Sequence, residues 1–258
     1  MLELFRNLRQ YNEFFKTSVK KEIRGKYKGA WLGVLWSYLN PLLMLLIYSF
    51  VFSIIMRINI ENYTTYLFTA LVPWNFFVSS ITQGSLSVVA NGGIMKKVYF
   101  PREIIPISSL TANLVNFLIS LLIVFVFLIG SGIGVSKYML LLPLIILCEY
   151  VLLLGIIFFL SALTVYARDL EHIINVILMA GIYATPIFYT MEMVPPKFRL
   201  IISLNPMTHI INAYRDILFY KRMTDMKVLV IIFGVSILIL MLAYYFFKHM
   251  EKSFVEEL

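Results

Sequence analysis

Cysteine occurs once, at Cys148, so no disulfide can form within the chain. Histidine occurs only at His172, His209 and His249, without the spacing that metal ligands need. Charge is scarce: 14% of residues are Asp, Glu, Lys or Arg, against roughly 25% in soluble domains. Catalytic signatures are missing too, with no phosphate-binding GxxxxGK loop, no HExxH and no GxSxG. Nor is there an aspartate pair of the kind a metal-dependent sugar transferase uses. These absences exclude a stapled domain, a structural zinc site, a bound metal and a resident nucleotide cofactor. The chain reads as no enzyme.

What is present is apolar. The 258 residues are 60% hydrophobic, with a mean hydropathy of +0.86. That composition describes an integral membrane protein, and at about 20 to 25 residues per span the length accommodates roughly six transmembrane helices. The expected fold is all-α and membrane-embedded, one transmembrane domain over 1–258. The net charge of +8 is then read by side of the membrane and not as a nucleic-acid footprint.

Residues 1–34 hold eight Lys or Arg, from Arg6 to Lys28, with Leu4, Leu8, Tyr11 and Phe15 recurring at three or four residues between them. This is helical periodicity without the apolar core of a signal peptide. It predicts an amphipathic helix over 1–30 that lies in the membrane interface.

Five spans are expected within 35–187. The first, 35–56, is introduced by Trp31 and Trp36 and ended by Arg57. The second, 66–89, contains Pro73 and is expected to be bent or broken there. A polar connection, 94–103, leads to the third, 104–129; a glycine-rich hairpin at 130–137 leads to the fourth, 138–166. The fifth covers 173–187 and the sixth 228–248. Segment 191–227 carries Arg199, His209, Arg215 and Asp216, each costing about 2 to 3 kcal/mol at mid-bilayer. It is therefore expected to form two short re-entrant helices separated at Asn205-Pro206, not a seventh span.

With six spans both termini share a side, which receives fourteen of the 22 Lys and Arg. The termini, the 94–103 connection and the 167–172 turn are thus expected in the cytoplasm, and 191–227 outside. A chain without nucleotide motifs must receive work through contacts. A short charged connection bounded by Gly93 and Pro101 is a stiff element for a partner to push, with Lys96, Lys97, Arg102 and Glu103 as first choices. Two features stay open. Glu149, deep in the fourth span, is either a polar substrate or proton contact or a hydrogen-bonded structural residue. The aromatic clusters Trp74, Phe76, Phe77 and Tyr183, Phe188, Tyr189 either anchor span ends or line a route for sugar rings.

The stretch RGKYKGAWLGVLWSYLNPL at 24–42 resembles the start of the type-2 ABC transporter permeases that export polysaccharides and teichoic acids. Three more stretches fit in order: LVPWNFF at 71–77, IMKKVYFPRE at 94–103, and NPMT at 205–208 with AYRD at 213–216. The resemblance implies a permease of the bacterial cytoplasmic membrane, working as a homodimer with two ATPase subunits that hold ATP and Mg. An interfacial helix near 4–23, an ATPase-docking loop near 91–103 and an outer gate near 191–222 are implied. Coupling would fall to Lys96, Lys97, Tyr99, Arg102, Glu103, Arg168 and Asp169. The implied substrate is a polyprenyl-pyrophosphate-linked glycan such as O-antigen, capsule or teichoic acid. Arg24, Lys26 and Lys28 would meet its pyrophosphate, or else anionic membrane lipids. Pore and gate candidates are Trp74, Asn75, Phe76, Asn113, Asn116, Tyr183, Phe188 and Tyr214, with Ser79 and Ser80 as further polar positions. The alternative within the family is an exporter of drugs or small lipids.

Overall fold

The computed structural model describes residues 2–25, 31, 33–55 and 60–257; Lys26, Lys28 and Arg57 lie outside the described residues. Among the described residues every regular element is helical. The amphipathic arm forms α1 (Leu2–Gln10) and α2 (Asn12–Gly25), with helical hydrogen bonds carried through Tyr11. Next come α3 (Trp36–Ser49), α4 (Tyr63–Ala90), the short α5 (Gly92–Met95) and α6 (Ile104–Gly130). They are followed by α7 (Leu142–Tyr166), α8 (Leu170–Gly181), α9 (Pro196–Leu204) and α10 (Pro206–Leu218). The long α11 (Met226–Met250) and the short α12 (Phe254–Glu257) end the chain.

Three stretches are long and apolar enough to cross a bilayer: Ile104–Gly130, Lys137–Tyr166 and Met226–Ser253. Two shorter apolar helical stretches are Pro41–Phe52 and Leu170–Gly181. At 28 residues α4 is as long as the first three but more polar, and it hides Thr65, Thr69, Ser80, Ser85 and Ser87 within the protein. It is the hub, packing against α3, α6, α7, α8 and α10. Of the bend or break expected there, the break is absent: α4 runs as one helix through Pro73. The surrounding helices hold a proline-containing helix together where lipid would not.

Glycine sets the closest helix approaches. A Cβ on Gly155 of α7 would stand 2.9 Å from the backbone nitrogen of Leu240 on α11. One on Gly84 of α4 would stand 2.7 Å from the Ile157 side chain on α7. Such contacts bring backbones together where apolar surroundings give little hydrophobic drive for association. Gly132 and Gly134 serve differently: both take positive φ, and the Gly134 N–H donates to the Leu128 carbonyl at 2.8 Å, closing the hairpin expected at 130–137.

The fold departs from the expected spans at two places. After Ser49 the first span opens into a π-helical turn, Phe50–Ile55. The fifth helix, expected over 173–187, stops at Gly181; its 12 residues rise about 18 Å, short of a bilayer's apolar thickness. Pro186 has no N–H to continue it, and the chain from 182 onward proceeds in turns. Two carbonyls of these turns, those of Pro186 and Ile187, accept from Arg215.

Side-chain contacts define two ends of the bundle. Asn7, Glu103 and Lys248 meet at one end, and the Tyr166 hydroxyl donates to the Met250 carbonyl there. Tyr63 and Tyr66 meet Phe188 and Tyr189 at the other, which also holds α9 and α10.

Candidate functional site

At the end that carries the termini, the 91–103 connection projects as a short stub. Asn91 accepts from Lys21 of α2 at 2.7 Å, and the Phe100 ring packs on Phe14 of α2 at 4.5 Å. Between these anchors, Lys96, Lys97, Val98 and Tyr99 are exposed, Tyr99 by 92%. Among the described residues nothing covers this apolar pair and the two lysines before it. Arg102 is half-buried. Glu103, expected beside it as a contact residue, points inward and is fully buried. Its Oε1 accepts from Asn7 Nδ2 at 2.8 Å and its Oε2 from Lys248 Nζ at 3.0 Å. One carboxylate thus ties α1, the stub and the end of α11 together, and Lys248 also meets Glu251 at 3.0 Å. No local pattern announces Asn7 or Lys248, since each lies about 100 residues or more from Glu103. Arg168 and Asp169 are exposed in the turn before α8, and Arg24 is exposed at the end of α2.

The candidate pore residues divide sharply. Trp74 and Phe76 are buried within the chain, Trp74 stacked on Phe77 at 5.2 Å and Phe76 on Phe117 at 4.8 Å. Asn113 is buried, its amide donating to Gln83 Oε1 and to the Ser109 carbonyl. Phe188 is buried against Phe52 at 4.4 Å and Tyr48 at 5.0 Å. None of these four presents its side chain at the surface. Asn75 and Asn116 are half-buried and Tyr183 is exposed. Beside Tyr183, α8 exposes Ile173, Val176, Ile177 and Met179, and only Ile174 and Leu178 of that helix are buried.

At the far end the short helices expected over 191–227 are α9 and α10. Asn205 separates them; its side chain accepts from the Met207 N–H at 3.0 Å to cap α10, and its amide donates to Thr185 Oγ1 at 2.9 Å. Two consecutive residues then bolt α10 into the bundle. The Tyr214 hydroxyl donates to Glu149 Oε2 of α7 at 2.8 Å, which assigns Glu149 a hydrogen-bonding role between helices. The Arg215 guanidinium donates to the carbonyls of Pro186 and Ile187 and lies 3.8 Å over the Tyr66 ring. Arg215 is only 2% exposed. Its cost in lipid is avoided by immersion in protein, with two carbonyls of the turns that follow α8 as partners. Tyr66 and Tyr63 complete the clamp by donating to the carbonyls of Tyr189 and Phe188.

A family model described as ABC-2 type transporter matches residues 13–219. Over 237 residues the chain is 35% identical to the O-antigen export system permease protein RfbA of Klebsiella pneumoniae, covering 92% of this chain and 91% of that one. The protein of the same name from Myxococcus xanthus is 31% identical over 260 residues, all of both chains. The polysialic acid transport protein KpsM of Escherichia coli is 24% identical over 209 residues, 76% of this chain and 77% of that one. With a helical bundle of long apolar helices, an exposed stub at the end of the termini and a matched segment of this extent, the chain is a multi-pass membrane protein and belongs to the ABC-2 type transporter family.

Proposed function

We propose that this chain is the permease subunit of an ATP-driven exporter that carries a polyprenyl-pyrophosphate-linked polysaccharide across the cytoplasmic membrane. The observation that carries the reading is full-length similarity to permeases named for O-antigen export. In this reading six segments cross the bilayer, the fifth as α8 with the turns that follow it, the termini and the 91–103 stub face the cytoplasm, and α9 and α10 form the outer gate. A homodimer holds the glycan path between its subunits, with the apolar face of α8 and the exposed face of α3 turned toward the partner copy. Two ATPase subunits, which hold ATP and Mg, dock on Lys96, Lys97, Val98 and Tyr99, with Arg168 and Asp169 as a smaller contact. Glu103 acts from behind, passing displacement of the stub to α1 and α11 through Asn7 and Lys248. Arg24, Lys26 and Lys28 supply cations where the carrier's pyrophosphate enters.

Depletion of the protein in its own host, followed by mass spectrometry of extracted polyprenyl lipids, tests the reading. Completed lipid-linked polymer should accumulate in the cell. Unchanged lipid-linked glycan, with heightened sensitivity to small amphiphiles, would replace it by export of drugs or small lipids.

A further inference from the structure

The far end of the bundle holds a cavity of about 460 Å³ between α10, the 219–225 connection and the start of α11. Its volume lies in the range of small-molecule sites, roughly 300 to 1,000 Å³. Its charges are already engaged. Arg215 is held by two backbone carbonyls and the Tyr66 ring; Arg222 Nε meets Asp216 Oδ1 at 2.7 Å; Asp225 Oδ1 accepts from the N–H groups of Lys227 and Val228 to cap α11. Both arginines at the cavity have partners, Arg222 lying also 4.9 Å over the Tyr220 ring, and the exposed Glu192 carboxylate at the same cavity repels an anion.

Hydrogen-bonding capacity remains. His209 donates from Nε2 to the Ser203 carbonyl at 2.7 Å, which in the neutral ring leaves Nδ1 as an acceptor. Among the described residues the side chains of Asn212, Thr224 and Glu192 have no hydrogen-bond partner, and Tyr220 stands at the rim, 43% exposed. Neutral donors and acceptors, a carboxylate acceptor and a rim aromatic suit a ligand that is rich in hydroxyls, has an apolar ring face and bears no charge. We propose that this cavity is a saccharide subsite that holds one or two sugar units of the polymer as it leaves the permease. The proposal rests on the glycan-export reading and adds a place where the emerging chain is retained against sliding back.

The probe is a set of short oligosaccharides released by mild acid from the host's surface polymer, applied to the permease with its ATPase in lipid nanodiscs. Met223→Cys places a thiol beside the cavity without altering its lining, and the native Cys148 is fully buried and silent to maleimide. At ten times the dissociation constant the sugars should slow maleimide labelling by about tenfold. That protection should disappear when Met223→Cys is combined with Tyr220→Ala, a rim change, or with Asn212→Leu. No protection in Met223→Cys overturns the subsite, as does protection that survives both combined variants. Protection by inorganic phosphate and not by the sugars overturns it in favour of an anion site. Failure here leaves the depletion result standing, so the subsite and the export reading fail separately.

Discussion

The Tyr214 hydroxyl donates to Glu149 Oε2 at 2.8 Å, joining α10 to α7, and the other oxygen of that carboxyl has no partner among the described residues. The pair lies in the protein interior, where a hydrogen bond is strong but its loss is partly offset because the less-ordered state finds partners too. Bonds between helices in membranes average about 0.6 kcal/mol and reach about 1.7.

Tyr214→Phe should therefore lower stability by about 1 kcal/mol, mostly by stripping the carboxyl of its one donor. Combining it with Glu149→Leu should recover most of that loss, because both polar groups then leave the interior together. Thermal unfolding of the detergent-solubilised protein in a double-mutant cycle measures the coupling. Strictly additive losses would mean that the bond contributes nothing beyond the two side chains' packing.

At the opposite end the larger effect belongs to Lys248. Glu103 is fully buried and Lys248 is its only cationic partner among the described residues, so Lys248→Met leaves a buried carboxylate with Asn7 alone. Breaking a buried pair costs about 3 to 5 kcal/mol, and because the Lys248 side chain is 22% exposed the lower figure applies. Glu103→Gln should cost less, since an amide still bonds Asn7 and the lysine keeps Glu251. Melting temperatures of the two variants in one detergent give the order. Equal losses would show that the cluster is held by packing and not by charge.

The glycine contacts predict a difference in kind. A methyl on Gly155 meets backbone of α11, which cannot move aside without displacing the helix, whereas one on Gly84 meets only the Ile157 side chain. Gly155→Ala should cost about 1 to 3 kcal/mol as overpacking. Gly84→Ala should be substantially relieved by Ile157→Ala, and Gly155→Ala should not be relieved by truncating Ile239, whose nearest atom is 3.0 Å away. Expression yield and unfolding midpoint of the four variants decide between them.

Much of this architecture is legible in the residue pattern, and the exceptions share a cause. Long apolar runs locate α6, α7 and α11, and Asn205-Pro206 marks the break between α9 and α10, because span length and proline chemistry are local. The anchoring of the turns after the fifth helix is not local: Arg215, 28 and 29 residues onward, donates to the carbonyls of Ile187 and Pro186. The inward turn of Glu103 is equally hidden, since IMKKVYFPRE reads as one charged surface until Asn7 and Lys248 are brought to it. Helix rotation escapes the sequence for the same reason. Trp74 and Phe76 lie on α4, whose apolar residues are distributed all round, so no stripe says which of them faces out.

Tyr99 supplies the sharpest test of the coupling surface. An aromatic side chain 92% exposed takes almost no stability from its own chain, so Tyr99→Ala should leave the permease's melting temperature unchanged. If the ring is an anchor for the ATPase, its loss should remove at least 2 kcal/mol of binding, about thirtyfold in affinity. Lys96→Glu with Lys97→Glu should act mainly on the rate of association and on its salt dependence, because exposed charges steer more than they hold. Capture of the ATPase on immobilised permease, read as association and dissociation rates at two salt concentrations, separates the two effects. Undiminished capture by the Tyr99→Ala variant, with its export intact, would remove the stub from the docking surface and leave Arg168 and Asp169 to be tested in its place.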